Sequence, residues 1–152
     1  MKINESKIAE INGSKLKIAI ILPYFNDKLG LELLGNTKTE LIAQKVNLKN
    51  IRIVRVAGCL EIPFACQKII EKYKPNAIVA LGIIVRGETK HFDLVAEQTH
   101  QGIMQIQLNK KTPISFGIIA CENKKQAIER VSNKKMNKGK EFAQAALIQT
   151  TI

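Results

Sequence analysis

The chain has no tryptophan and only 5% aromatic residues, which leaves little surface on which nucleic-acid bases could stack. Arginine is scarce as well. Arg52, Arg55, Arg86 and Arg130 are the only four, and lysine supplies the other cations. Base reading and phosphate clamping lean on planar arginine forks. A formal net charge of +11 therefore does not by itself imply a nucleic-acid-binding module, and no nucleic-acid partner is expected. The three cysteines (Cys59, Cys66, Cys121) are odd in number and form no C-x-x-C, and both histidines lie far in sequence from a useful cysteine partner. A disulfide framework and a zinc site are thereby disfavoured, leaving reduced thiols and a cytoplasmic location as the expectation. Residues 1–15 contain no continuous apolar core of a secretory signal. The longest strongly apolar run, residues 77–85, is closed by Arg86 and is far short of the about twenty residues that span a bilayer, so no membrane partner is expected. Neither a P-loop nor a G-x-G-x-x-G fingerprint occurs. No cofactor and no metal are expected.

What remains is an ordinary globular composition. With 152 residues, 45% hydrophobic and 24% charged, the chain is one domain's length, able to bury roughly 70% of the surface that it exposes unfolded. The residue pattern alternates strand and helix. Residues 15–23 (KLKIAIILP) form a β-branched apolar run ended by proline, and residues 50–56 (NIRIVRV) alternate with period two until Ala57 and Gly58. Residues 76–85 are apolar on both faces, and residues 114–121 follow Pro113 as a fourth strand. Between them lie helical stretches at residues 27–46, 63–73 and 90–108. The first has N-cap candidates Asn26 and Asp27, the second opens on Pro63, and Thr89 is placed to cap the third. Two further helices follow, one capped by Asn123 and running to Val131, the other opening at Asn137. Strands apolar on both faces and alternating with helices imply an α/β fold. The expectation is a three-layer α/β/α sandwich around a mainly parallel four-stranded sheet, spanning residues 1–152 as one domain.

Ligands of such sheets bind outside the carboxyl ends of the strands. The segments that leave those ends are Tyr24-Phe25-Asn26, Gly58-Cys59-Leu60-Glu61, Arg86-Gly87-Glu88-Thr89-Lys90-His91 and Ala120-Cys121-Glu122. Arg86-Gly87-Glu88-Thr89, a strand-to-helix turn, is a candidate anion cradle built on backbone N–H groups. His91, in the first turn of the helix that follows, is the residue type suited to accept and return a proton near neutrality. His100 is nine residues further on, roughly half a turn round the helix, and cannot share its site; the solvent side or a subunit contact is expected for it. Residues 121–140 hold seven cations against two anions, a positive region suited to attract a phosphorylated substrate.

Three blocks then stand out together. They are Gly58-Cys59-Leu60-Glu61-Ile62-Pro63; Ala80-Leu81-Gly82 through Arg86-Gly87-Glu88-Thr89-Lys90-His91-Phe92-Asp93; and Ala127-Ile128-Glu129-Arg130 with Asn137-Lys138-Gly139. In this order and spacing the chain resembles the 6,7-dimethyl-8-ribityllumazine synthase family over residues 17–147. The resemblance implies a flavodoxin-like strand order and the condensation of 5-amino-6-(D-ribitylamino)uracil with 3,4-dihydroxy-2-butanone 4-phosphate, in the penultimate step of riboflavin biosynthesis. It implies a transferase with small-molecule substrates. In the family the residue matching Phe25 stacks on the pyrimidine. Those matching Asn26, Cys59, Leu60, Glu61, Ile83, Ile84 and Val85 hold the pyrimidine edge and ribityl chain. The phosphate-binding turn matches Gly87, Glu88 and Thr89, aided by the arginine matching Arg130. The acid/base matches His91, with the lysine matching Lys138 close by. The phenylalanine matching Phe116 closes the site from a neighbouring subunit.

The resemblance thus implies a homo-oligomer with shared sites and a pentameric ring as its minimal unit. Family rings stack into an icosahedral shell, with an isolated pentamer and a decamer as the alternatives, and the family segment matching residues 3–11 adds to a neighbour's sheet. There are three departures from the family pattern, of which the first bears on ribityl packing, the second on the phosphate and the third on assembly. Leu60 stands where an aromatic is common, and Glu88 where alanine is usual. Ser132-Asn133-Lys134-Lys135-Met136 replaces a glycine-containing loop. A non-catalytic lumazine- or flavin-binding protein on the same fold is the competing reading; His91 and Arg130 argue against it.

Overall fold

The computed structural model describes residues 3–152. In chain order it contains helix α1 (Glu5–Ala9), strand β1 (Ile18–Pro23), α2 (Asp27–Ala43), β2 (Ile51–Val56), α3 (Ile62–Tyr73) and β3 (Ala77–Val85). Then come α4 (His91–Lys110), β4 (Ile114–Cys121), α5 (Lys124–Val131) and α6 (Lys138–Gln149). The four strands form one sheet in the order β2-β1-β3-β4, and every neighbouring pair is parallel. This is the three-layer α/β/α fold read from the sequence.

The strand pattern explains why two helical layers are needed. On β1, Ile18, Ile20 and Leu22 point into one core with Leu33, Leu41, Ala143 and Leu147 of α2 and α6. Ala19 and Ile21 point the other way, toward Ile62, Cys66 and Ile69 of α3 and Ile103 of α4. All six residues of β1 are buried, and β3 is buried up to its last residue, Val85. A central parallel strand must be apolar on both faces, because each side chain meets a covering helix. At the edge, β2 keeps Arg52 and Ile53 exposed, as its mixed sequence requires. On α4 one stripe faces the core: Thr99 and Ile103 are buried, with Phe92, Val95 and Ala96 packed on the same core.

Two local details differ from the sequence reading. Residues 3–11 are not wholly extended. In this chain they contain the five-residue helix α1, whose Ile8 is buried and whose start is capped by Asn4, its side chain accepting from the Ser6 N–H. Folding back on its own subunit gives Ile8 an apolar setting that an isolated extended strand would lack. Secondly, Asn26 occupies the N-cap position of α2 without capping it by its side chain. Its backbone is left-handed, at φ 60°, a conformation that asparagine tolerates better than most residues. Its amide instead donates to the Ile83 carbonyl at 2.8 Å.

Candidate active site

At the carboxyl ends of β1, β2 and β3 lies a cleft of about 410 Å³. Its first wall is the turn after β1. The Tyr24 N–H donates to the Val56 carbonyl and the Phe25 N–H to that of Ala57, so the two residues continue along the end of β2. Arg55 fixes this turn. Its guanidinium donates to the Leu22 and Pro23 carbonyls, pairs with Asp27 and stacks 4.1 Å from the Tyr24 ring centroid. Phe25 is left 75% exposed at the lip. With its backbone tied to the end of β2 and its ring facing solvent, Phe25 is not a core residue.

The second wall is the short turn Cys59–Glu61, one turn of 3-10 helix leading into α3. Glu61 accepts the Gly58 N–H at 2.8 Å, which ties the turn closed. Cys59 can lie against β3 because Gly82 has no side chain; a Cβ there would sit 2.7 Å from the Cys59 sulfur. Burial pushes the Cys59 thiol up to about 11, with the nearby Glu61 charge adding to the effect against a hydrogen bond with the Ile83 backbone. The group is an uncharged thiol at neutral pH and not a nucleophile. Leu60 is 47% exposed and lines the same wall. Ile83, Ile84 and Val85 form the floor.

The third wall is the turn from β3 to α4. Gly87, Thr89 and His91 line the cleft; exposed Glu88 is not among its lining residues. A Cβ on Gly87 would meet no protein atom within 4 Å, so the backbone there is open to a ligand. The Thr89 hydroxyl accepts the His91 N–H at 3.3 Å. His91 is the first residue of α4, one turn-position earlier than the sequence suggested. An anion placed here meets the exposed backbone of this turn and the positive end of the α4 dipole. Phe92, Val95 and Gly58 also line the cleft. Phe92 and Val95 also pack on the core beneath α3 and α4, and helical spacing alone does not distinguish a core residue from one at the core's open end.

Arg86, in the candidate cradle, is not free for an anion. Its Nη1 and Nη2 donate to the two Asp93 oxygens, both at 3.1 Å, and its Nε donates to Glu122 at 2.6 Å. These hydrogen bonds hold the Asp93 carboxyl below its usual range.

Four of the residues assigned by resemblance lie outside the cleft lining: Glu88, Phe116, Lys138 and Arg130. Phe116 and Lys138 line a separate recess of about 340 Å³ beside the β4 edge, with Ser115, Glu141 and Phe142. There Lys138 pairs with Glu141 at 2.8 Å. Arg130 is half-buried on α5 and donates to the Gln126 carbonyl at 3.1 Å. His100 is half-buried, its Nδ1 2.7 Å from the Ala96 carbonyl oxygen and its ring 6.0 Å from that of Phe116. It faces β4 rather than open solvent. No group of three or more metal-ligating side chains occurs among the described residues.

Residues 15–151 match the 6,7-dimethyl-8-ribityllumazine synthase family. Three proteins of that name are similar along most of their length. The one from Desulfovibrio desulfuricans is 38% identical over 141 residues, covering 93% of this chain and 90% of that protein. That from Pediococcus pentosaceus is 42% identical over 140 residues, 92% and 90% of the two chains. That from Kosmotoga olearia is 43% identical over 135 residues, 89% and 86%.

Proposed function

The chain belongs to the 6,7-dimethyl-8-ribityllumazine synthase family, and we propose that the cleft, completed by a neighbouring subunit, is where it carries out that family's reaction. The protein is an enzyme of riboflavin biosynthesis. It condenses 5-amino-6-(D-ribitylamino)uracil with 3,4-dihydroxy-2-butanone 4-phosphate and releases phosphate and water. The 5-amino group attacks the butanone carbonyl and water leaves to give an imine. A proton is removed and phosphate departs, leaving an enol that becomes a carbonyl. The ribitylamino nitrogen attacks that carbonyl, and a second water leaves as the ring closes.

Each step needs reactants held in line and protons moved, and the cleft residues suit both needs. Phe25 stacks on the pyrimidine, its exposure at the lip supporting that role. Asn26, Cys59, Leu60, Glu61 and the floor at Ile83, Ile84 and Val85 hold the pyrimidine edge and ribityl chain. Gly87 and Thr89 receive the phosphate on the backbone of the α4 start. His91, beside them, moves the proton. Glu88 carries its charge away from the phosphate. Arg130, Phe116 and Lys138 come from the adjacent subunit, which is why they lie apart from the cleft in one chain. One observation carries this reading: eleven of the fifteen assigned residues line a single cleft.

We also infer a pentameric ring as the smallest active unit, with an icosahedral shell as the larger assembly, and a cytoplasmic location. Three free, buried cysteines support a reducing compartment, and no helix among the described residues is long and apolar enough to cross a membrane. The whole chain is read as one catalytic domain.

The direct test is to mix both substrates with the protein and follow the lumazine chromophore by absorbance, together with phosphate release. No product would overturn the assignment. His91→Ala is expected to lose roughly 10²–10⁴-fold in rate with pyrimidine binding little changed; full turnover in that variant would remove His91 from its role. Residual activity is expected, because the pocket still aligns both reactants.

A further inference from the structure

The helix that carries His91 begins without a side-chain cap. Lys90 occupies the N-cap position in a helical conformation and caps nothing with its side chain. The start is held by the Thr89 hydroxyl, which accepts the His91 N–H at 3.3 Å, and by the Lys90 carbonyl, which accepts the Asp93 N–H at 3.1 Å. A helix start that is solvent-exposed and held by so few contacts is where fraying begins. A catalytic group at the first helical position would then sit on the least fixed residue of the helix.

Arg86, the residue that follows β3, supplies what the missing cap does not. Its backbone N–H donates to the Cys121 carbonyl at 2.9 Å and so extends the β3–β4 pairing. Its guanidinium lies 4.3 Å from the Phe92 ring centroid and holds Asp93 with two parallel hydrogen bonds. Residues 92 and 93 are thereby clamped from the strand side, directly after His91. The third contact, to Glu122 just past β4, fixes the guanidinium itself. One cation between two carboxylates leaves this cluster with no net positive charge. It is a brace and not a phosphate subsite.

We propose that Arg86 is a positioning residue for the reaction. It acts through Phe92 and Asp93 to hold the first turn of α4, and hence the His91 imidazole and the Thr89 hydroxyl beneath it, toward the cleft. This rests on the reading of His91 as the proton carrier. The ion pairs are solvent-exposed, with 35% of the Arg86 side chain and 56% of the Asp93 side chain accessible. Pairs of this kind contribute little to global stability. The energetic consequence falls on geometry rather than on folding.

The test compares the kcat and both KM values of the assembled enzyme with those of Arg86→Gln, Arg86→Lys, His91→Ala and the Arg86→Gln/His91→Ala double variant. A displaced catalytic group costs on the order of 10–100-fold in kcat, and that loss is expected for Arg86→Gln with the pyrimidine KM nearly unchanged. Arg86→Lys keeps the charge without the two-pronged hold on Asp93 and should fall in between. In the His91→Ala background, Arg86→Gln should cost almost nothing further, since coupled residues are non-additive. The same fold-loss in both backgrounds, an increase in KM alone, or full turnover of Arg86→Gln while His91→Ala is impaired would each overturn the role of Arg86. Full turnover of His91→Ala would overturn the histidine reading and this inference with it. If Arg86→Gln does not assemble, Asp93→Asn breaks the same clamp from the helix side. An unchanged kcat there would be equally decisive against it.

Discussion

Cys66 lies fully buried on α3, and desolvation pushes its thiol up from 9.0 to about 12. The folded protein therefore keeps this proton through a pH range in which the unfolded chain has released it. Stability from this source is fully present below about pH 9 and is lost as the pH rises toward about 12. Cys59, raised to about 11, acts in the same direction over a narrower window. Urea unfolding measured at successive alkaline pH values should show stability falling above pH 9, and Cys66→Ala should make that fall shallower relative to its own value at pH 8. An equal slope in both proteins would assign the alkaline loss to other groups. At this scale the sequence was informative where a residue type has few uses at its position. An aromatic after a strand-ending proline, a histidine at a helix start and a glycine in a strand-to-helix turn were all legible at Phe25, His91 and Gly87. Arg86 was not legible in the same way. In sequence it opens an anion-like turn, and only the fold brings Asp93 and Glu122 to it from a helix and from another strand's end.

Among the elements, α2 and α6 meet unusually closely. A Cβ on Gly139 would lie 2.8 Å from the Leu33 carbonyl oxygen, 2.9 Å from the Asn36 Cβ and 3.0 Å from the Thr37 nitrogen. Two of these are backbone atoms that cannot rotate away, and Thr37 adds a hydrogen bond by donating to the Gly139 carbonyl at 3.3 Å. Gly139→Ala should thus behave as an overpacking substitution and cost about 1–3 kcal/mol, read as a lower urea midpoint with the m-value unchanged. Unaltered stability would show that the helices can part at no cost. Strand and helix existence was readable here because β1 and β3 must be apolar on both faces and the helices must cover them. The boundaries shifted by a few residues: β1 starts at Ile18 and α4 runs on to Lys110. Helix α1 escaped the reading altogether. Its five residues carry one buried side chain, Ile8, too short a stretch for any periodicity to appear. The choice between helix and strand there depends on what surface the segment finds.

At the scale of the whole molecule, the cleft holds Phe25 and His91, while Arg130, Phe116 and Lys138 lie outside it. A net charge of +11 on each chain multiplies as copies gather, which works against close assembly at low salt. The proposed sharing of sites between subunits would give copies a reason to gather despite it. It also makes the arrangement testable without measuring any contact. His91→Ala and Arg130→Ala chains, each assembled alone, lack one essential residue in every site. When the two are co-expressed and mix within one ring, a site can draw His91 from an Arg130→Ala chain and Arg130 from its His91→Ala neighbour. Random mixing in a closed ring with head-to-tail contacts restores about a quarter of the sites to full composition. The mixed enzyme should therefore show roughly a quarter of wild-type turnover, well above either parent, with light scattering reporting the same ring mass for all three. If both residues served the cleft of their own chain, no mixture could exceed the average of the two variants. That result would make each subunit a complete enzyme and the ring a matter of stability alone.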